Sequence, residues 1–252
     1  MPDAISISEL GMINDIQLME VISQNVANAN TNGYKRELPV VRDFMTQLSA
    51  SMLQSMQSAS MAEGVSGEQT LVPDVKRMID NSQGVLRFTG NPLDVAIEGD
   101  GFFEIDTAEG VRYTRHGSFN LDVNGRLVIS EGGVVNGING EIRLLNSAPK
   151  IDKQGRIWDG EDMLAQLKVV RFENPESLQR SNHGLFISGE QGEPVSDSVA
   201  GVRQGHVEAS NVNVMNEMVK MMTTTRHFET TQRVITGYDE MIGEAISTIA
   251  EF

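Results

Sequence analysis

The sequence predicts a mainly β protein: a curled antiparallel β domain flanked by N- and C-terminal α-helical segments. Three observations carry that reading. Apolar residues follow a helical period near both ends, they follow a strand period from about Leu86 to Val207, and glycine turns punctuate that central stretch at short intervals. No helix of useful length is expected among those strands, so parallel pairing through crossover helices is disfavoured.

At the amino end, Met12, Ile13, Ile16, Met19, Ile22 and Val26 recur along one side of a helix, and that side needs a partner. The pattern stops within Asn25 to Tyr34, where clustered short amides bond to nearby backbone and Gly33 is suited to positive φ. The stretch from Phe44 to Met61 mixes small polar residues with methionine and leucine and has no firm period, which predicts a conditionally packed linker.

In the central region Leu93, Val95 and Ile97 share a strand face ahead of the turn at Asp100-Gly101, and Phe102 to Asp106 forms the next strand. Tyr113 lies in a short strand. Phe119, Leu121 and Val123 alternate before Asn124-Gly125 returns the chain into Leu127-Val128-Ile129, as in an antiparallel hairpin. Further turns are expected at Asn136-Gly137, Asn139-Gly140, Gln154-Gly155 and Asp159-Gly160. Strands are expected at Ile142 to Leu145, Arg156 to Trp158 and Leu164 to Phe172. The pattern leaves the strand order open.

A long helix without proline is expected from about Asn213 to Ile249. Its near-heptad seam is Met218, Met221, Thr225, Phe228, Gln232, Ile235, Asp239, Ile242, Ile246 and Ile249. Gln232 and Asp239 argue against a strict two-stranded coiled coil, because burying an unpaired polar group costs free energy. Either the terminal helices close over one another within one chain, or neighbouring subunits complete their stripes.

Composition narrows the function classes. The 252 residues carry 20 Lys+Arg against 35 Asp+Glu, a net charge of −15, and no cysteine. That excludes disulfides, thiolate metal sites and a cysteine nucleophile, and it argues against a nucleic-acid partner. Hydrophobic residues at 39% supply a core, whereas 5% aromatics and one tryptophan argue against an aromatic-rich binding surface. No run of about 20 apolar residues is present, so direct membrane insertion is not expected. The amino end lacks the basic leader and compact apolar segment of a secretory signal, so signal-dependent export is not expected either.

Reacting constellations are missing from the pattern. His116, His183, His206 and His227 are scattered without metal-ligand spacing. Glu98 with Asp100, or Asp159 with Glu161 and Asp162, could divide acid and base roles in a cleft, but nothing in the pattern places them in one, and Glu98 and Asp100 read as turn and surface acids. Asp122-Val123-Asn124-Gly125 faintly resembles a calcium loop but lacks the ligand series, so a hairpin turn suffices. No GxGxxG or GxxxxGK[ST] phosphate-binding motif occurs. Tyr34-Lys35-Arg36 and Lys76-Arg77 read as solvated faces or rims of protein contacts. No catalytic residue, cofactor or metal is therefore assigned.

The segment Asn25-Val26-Ala27-Asn28-Ala29-Asn30-Thr31-Asn32-Gly33-Tyr34-Lys35-Arg36 resembles the amino-terminal signature of flagellar rod and hook proteins. Gly99-Asp100-Gly101-Phe102-Phe103 and Tyr113-Thr114-Arg115-His116-Gly117-Ser118-Phe119 resemble the central β motifs of that family, and Ser210-Asn211-Val212-Asn213 resembles the lead-in to its terminal helix. The resemblance covers nearly the whole chain. Its length, Arg87 to Asp94 and Met221 to Arg226 favour the proximal-rod branch over the distal-rod branch.

The resemblance implies a structural subunit of the bacterial flagellar basal body, in the rod that crosses the periplasm, exported by the flagellar type III apparatus without a cleaved signal and transmitting torque. Implied partners are other axial rod proteins, copies of this chain and the export apparatus. The implied domains are 1–36 and 208–252 as an inner helical part whose helices pair in the assembled rod, 37–80 as a variable connector, and 81–207 as a β-rich outer domain. The assembly interface is expected at Met12, Ile16, Met19, Val26, Asn30, Gly33, Asn211, Asn213, Met218, Met221, Phe228, Ile235, Ile242 and Ile246. A distal rod subunit, a β-rich binding protein in a homo-oligomer and a carboxylate-dependent hydrolase are the alternatives.

Overall fold

The computed structural model describes residues 4–40, 76–130, 132–144, 149–181, 184–188, 193–194 and 201–250. Helix α1 spans Ala4–Ala27, and helix α2 spans Val214–Ala250. Between them run β1 (Glu37–Val40), β2 (Lys76–Ile79), β3 (Leu86–Phe88), β4 (Val95–Glu98), β5 (Phe102–Thr107), β6 (Gly110–Thr114) and β7 (Asn120–Leu121). They are followed by β8 (Leu127–Val128), β9 (Val134–Gly137), β10 (Gly140–Glu141), β11 (Lys150–Ile151), β12 (Arg156–Asp159) and β13 (Asp162–Gln166). The series ends with β14 (Val169–Arg171), β15 (Gln179–Arg180), β16 (Phe186–Ile187), β17 (Glu193–Pro194), β18 (Gly201–Gln204) and β19 (His206–Glu208). The mainly β class with one helix at each end agrees with the sequence reading, and no closed barrel forms among the described strands.

The described residues fall into two compact units. One gathers 4–26, 37–40, 76–78 and 214–250, and the other gathers 27–36 with the described part of 79–213.

In the β-rich unit, β5 organises the largest sheet. β6 pairs along one edge, from Phe103↔Thr114 to Thr107↔Gly110. The other edge is shared: β14 pairs at Phe102 and Phe103, while β9 pairs at Ile105 and Asp106. Two strands diverging from one edge make the sheet curl, and β5 becomes buried on both faces. Phe103 and Ile105 enter a core with Val95, Ile97, Phe119, Leu127, Val135, Ile142, Ile157 and Val202. Phe102 points the other way, into a second cluster with Tyr113, Val170, Phe172 and Phe186. Each fully buried large apolar side chain here stabilises the fold by about 1.5–3 kcal/mol.

Two hairpin corners share one design. Asp122 Oδ1 accepts hydrogen bonds from the backbone N–H of Asn124 and Arg126, at 2.8 Å each, and Oδ2 accepts from Arg126 Nε at 2.8 Å. Asp152 does the same with Gln154, Arg156 and Arg156 Nε, at 3.0, 3.0 and 2.7 Å. Gly125 and Gly155 supply positive φ at 72° and 74°. The Asp122 carboxylate is thus engaged by its own turn and by the Arg126 guanidinium rather than arranged as a metal ligand.

Several expectations need correction. The alternation Phe119, Leu121, Val123 stops early: Phe119 is core, but Val123 is fully exposed because Asp122 has already begun the turn. Leu164 to Phe172 is two strands, β13 and β14, separated at Leu167-Lys168, where Leu167 N–H bonds to Gly155 O. The turn expected at Asn136-Gly137 is instead the end of β9, which pairs with β10 through Gly137↔Gly140. Ile142 and Leu144 are core residues outside any described strand. The Phe44 to Met61 linker, Leu145 and His183 lie outside the described residues.

Candidate assembly interface

The segment after α1 is built around Gly33. Its φ is +68°, and a Cβ there would lie 2.4 Å from His116 N and 2.5 Å from Arg115 C, so only glycine fits. Gly33 N–H donates to Glu208 O at 2.7 Å. Two residues on, Lys35 is fully buried, and its Nζ donates to Glu208 Oε1 at 2.6 Å and to Ser82 O at 2.9 Å. Glu208 Oε1 also accepts from Gly84 N–H at 2.9 Å, and Oε2 accepts from Arg115 Nη1 at 3.2 Å. Arg115 Nη2 donates to Gly99 O at 2.8 Å.

Reading Tyr34-Lys35-Arg36 as solvated or at a contact rim is therefore wrong for Lys35. Burial pulls its ammonium below the usual value of 10.5, with Glu208 opposing that pull, and burial lowers Arg115 in the same way. A carboxylate holding two buried cations joins the amino-terminal signature to the segment leading into α2. Arg180 completes the arrangement, lying 4.0 Å over the Tyr34 ring and donating to Lys35 O. Sequence reasoning missed Lys35, Arg115, Arg180 and Glu208 as partners, since no local pattern links positions so far apart. Asn211 was singled out: its Oδ1 accepts from Arg36 N–H at 2.7 Å, and its Nδ2 donates to Asp80 O at 2.9 Å. Gly33 and Asn211 thus have roles within the chain, while Asn30 and Asn213 are exposed.

The helical unit is assembled differently. Asp15 Oδ2 lies 2.6 Å from His227 Nδ1, Thr225 Oγ1 lies 3.6 Å from Met19 Sδ, and Asn25 Nδ2 donates to Glu217 Oε2 at 3.4 Å. Residue numbers rise on one helix as they fall on the other, so α1 and the first half of α2 run antiparallel. Asn25 also exchanges two 2.9 Å bonds with the Glu37 backbone. The side of α1 most buried in the chain carries Asp15, Val21, Ile22 and Asn25, not the full expected stripe, because polar groups on α2 and β1 satisfy the two polar members. Ile16 is 52% exposed, and Met12, Met19 and Val26 are half-buried.

On α2 the seam is Glu217, which is buried, with Met221, Thr224, Thr225, Phe228, Thr231 and Ile235 half-buried. It includes three of the expected interface residues, Met221, Phe228 and Ile235. Met218, Ile242 and Ile246 are exposed, the last at 62%, and every side chain from Tyr238 to Thr248 is exposed. Met222 and Met241 add apolar surface at 62% and 61% exposure. Thr225, Thr230, Thr231 and Thr236 each donate their hydroxyl to the carbonyl four residues earlier.

No group of three or more His, Cys, Asp or Glu able to hold a metal occurs among the described residues. Glu98 is held by Arg203 Nε at 2.7 Å, and His206 Nδ1 lies 2.9 Å from Gln204 O. No helix among the described residues is long and apolar enough to cross a membrane.

Comparison with known families places these features. Residues 7–35 match the family described as flagella basal body rod protein, and residues 96–159 match the flagellar hook protein FlgE/F/G D1 domain. Residues 203–248 match the flagellar basal body rod FlgEFG protein C-terminal family. The chain is 29% identical to the flagellar basal-body rod protein FlgG of Bacillus subtilis, over 94% of this chain and 95% of the relative. It is 32% identical to the flagellar basal-body rod protein FlgF of Mesorhizobium japonicum, over 92% and 91%. It is 35% identical to the flagellar basal-body rod protein FlgG of Buchnera aphidicola from Schizaphis graminum, over 94% and 95%. The chain belongs to the flagellar basal-body rod proteins, which are structural components rather than enzymes.

Proposed function

We propose that this chain is a subunit of the proximal rod, secreted through the flagellar export apparatus and built into the axis by its two helices. The observation that carries the assembly reading is the contrast along α2: its first half has a seam against α1, whereas Tyr238 to Thr248 stand open with Met241, Ile242 and Ile246 exposed. Burying such residues against neighbours gains about 1.5–3 kcal/mol for each side chain fully covered. Met12, Ile16, Met19, Met218, Ile242 and Ile246 are the residues we place in contact with neighbours. The helical segments gain much of their order as neighbours arrive. Relatives named FlgF and FlgG both match, and the proximal assignment is supported by the segments Arg87 to Asp94 and Met221 to Arg226.

The test is a side-chain-resolution map of native basal bodies, in which the density of the β-rich unit identifies the chain and its axial level. Density for this chain in the distal rod alone would contradict the proximal assignment. Its absence from the rod would contradict the function. Equal amide protection of both helices in free subunit and assembled rod would remove the coupled-ordering element.

A further inference from the structure

Four Asn-Gly pairs occur in the chain: Asn32-Gly33, Asn124-Gly125, Asn136-Gly137 and Asn139-Gly140. An asparagine amide is chemically labile, and most so before glycine, where no Cβ obstructs attack on the side chain by the following backbone nitrogen. The attack closes a five-membered ring. It requires the glycine N–H to leave its hydrogen bond and the asparagine to rotate until Cγ faces that nitrogen, so the folded surroundings decide which pair reacts.

Three of the four are held. Gly33 is buried, with its N–H bonded to Glu208 O at 2.7 Å, and Asn32 Oδ1 accepts from Arg87 Nη2 at 3.2 Å. Asn136 lies in β9 ahead of the buried Gly137, its Nδ2 donating to Glu104 Oε1 at 3.2 Å and its carbonyl accepting from Lys168 N–H at 3.0 Å. Asn124 is exposed, but its backbone is gripped: its N–H donates to Asp122 Oδ1 at 2.8 Å, Gly125 N–H donates to Asp122 O at 3.0 Å, and Gly125 O accepts from Leu144 N–H at 2.8 Å. Asn139-Gly140 differs. Both residues are exposed, and apart from its chain neighbours nothing lies within 4 Å of the place a Cβ on Gly140 would take. The Asn139 side chain has no hydrogen-bond partner among the described residues. The pair stands at the tip of the β9–β10 hairpin, and β10 is only two residues long, so the terminal rung Gly137↔Gly140 is the one that must open.

We propose that Asn139 is the site at which this protein deamidates. The Gly140 nitrogen gives up its proton and bonds to Asn139 Cγ, the Cγ–Nδ2 bond breaks, and ammonia leaves a succinimide behind. Water then opens the ring. Cleavage between Cγ and the Gly140 nitrogen yields aspartate in an ordinary chain, whereas cleavage between that nitrogen and the Asn139 carbonyl carbon yields isoaspartate, whose main chain runs through Cβ and Cγ. In sum one amide and one water become one carboxylate and one ammonium. Either product adds a negative charge at the hairpin tip, and the isoaspartyl form also lengthens the main chain by a methylene, which displaces the Gly137↔Gly140 rung.

The test holds the full-length protein folded at mildly alkaline pH and, in parallel, unfolded in urea. Peptides are followed by mass spectrometry, with fragmentation to separate Asn136 from Asn139. In the folded protein Asn139 is expected to convert at least about tenfold faster than Asn32, Asn124 or Asn136, and in urea the four rates are expected to converge. Asn139→Gln, a change at an exposed position, should suppress most of the acidic shift seen on isoelectric focusing. The proposal is overturned if another of the four converts as fast as Asn139 in the folded protein, or if Asn139 stays intact there while it is consumed in urea. It is equally overturned if urea preserves the tenfold order, which would place the selectivity in local sequence, or if Asn139→Gln acidifies at the wild-type rate. None of these outcomes depends on the axial position of the chain.

Discussion

The buried Lys35, Glu208 and Arg115 cluster and the outer half of α2 treat charge in opposite ways. In the first, each charged group is withdrawn from water and its charge answered within the same chain, by Lys35 Nζ, Gly84 N–H and Arg115 Nη1 around one carboxylate. In the second, Asp239, Glu240 and Glu244 stand exposed beside Met241, Ile242 and Ile246 with no ion-pair partner among the described residues. A site that closes on itself fixes the conformation of one subunit. A site left open is, on the rod reading, surface available to another molecule. Substitutions in the two regions should therefore fail in different assays.

The largest effect is expected at Glu208. Glu208→Gln leaves two buried cations without a counter-charge and should lower stability by about 3–5 kcal/mol, read as a fall in the urea midpoint of the β-rich unit. Gly33→Ala should come next, at about 2–3 kcal/mol, because a side chain at φ +68° also meets the backbone of Arg115 and His116. Phe228→Ala, on the half-buried seam of α2, should cost about 1–2 kcal/mol in the thermal unfolding of the helical unit and leave the β-rich unit unchanged. Ile246→Ala should change the isolated chain by less than about 0.5 kcal/mol yet reduce incorporation into basal bodies at limiting protein. Normal incorporation of that variant would erase the distinction between the regions.

The pH dependence sharpens the comparison through a second set of charges answered within the chain, the aspartates of the two hairpin corners. Hydrogen bonds from the Arg126 backbone hold the Asp122 carboxyl below its ordinary 3.8. At Asp152 burial works the other way, and bonds from Arg156, Gln154 and Trp158 prevail, so that carboxyl is also lowered. Depressed acids stabilise the fold above 3.8 and lose that contribution as pH falls through their lower folded values. An acid titration followed by β-sheet circular dichroism should show this loss below 3.8. Asp122→Asn with Asp152→Asn should flatten it.

What the sequence made legible follows from the range of each interaction. Helix and strand periods are local, and so the two helices and the strands around Phe102 to Asp106 were visible. The Asn-rich segment pointed to a turn, and Gly33 to positive φ, because short amides and glycine act on their own backbone. The burial of Lys35 was not legible: its partner Glu208 lies 173 positions away, and a lysine beside an arginine looks like solvated charge. Val123 misled for the converse reason, since the side chain of Asp122 ended the strand before the alternation did. On α2 the expected seam and the observed one share Met221, Thr225, Phe228 and Ile235. They diverge where the buried side takes in Glu217, which Asn25 makes tolerable.

The threonines of α2 have a mechanical meaning. With the hydroxyls of Thr225, Thr230, Thr231 and Thr236 folded back onto carbonyls four residues behind, those carbonyls serve two donors and the helical ladder softens at each of them. A helix furnished in this way can take up curvature in small steps under load, at threonines whose hydroxyls are already satisfied within the helix.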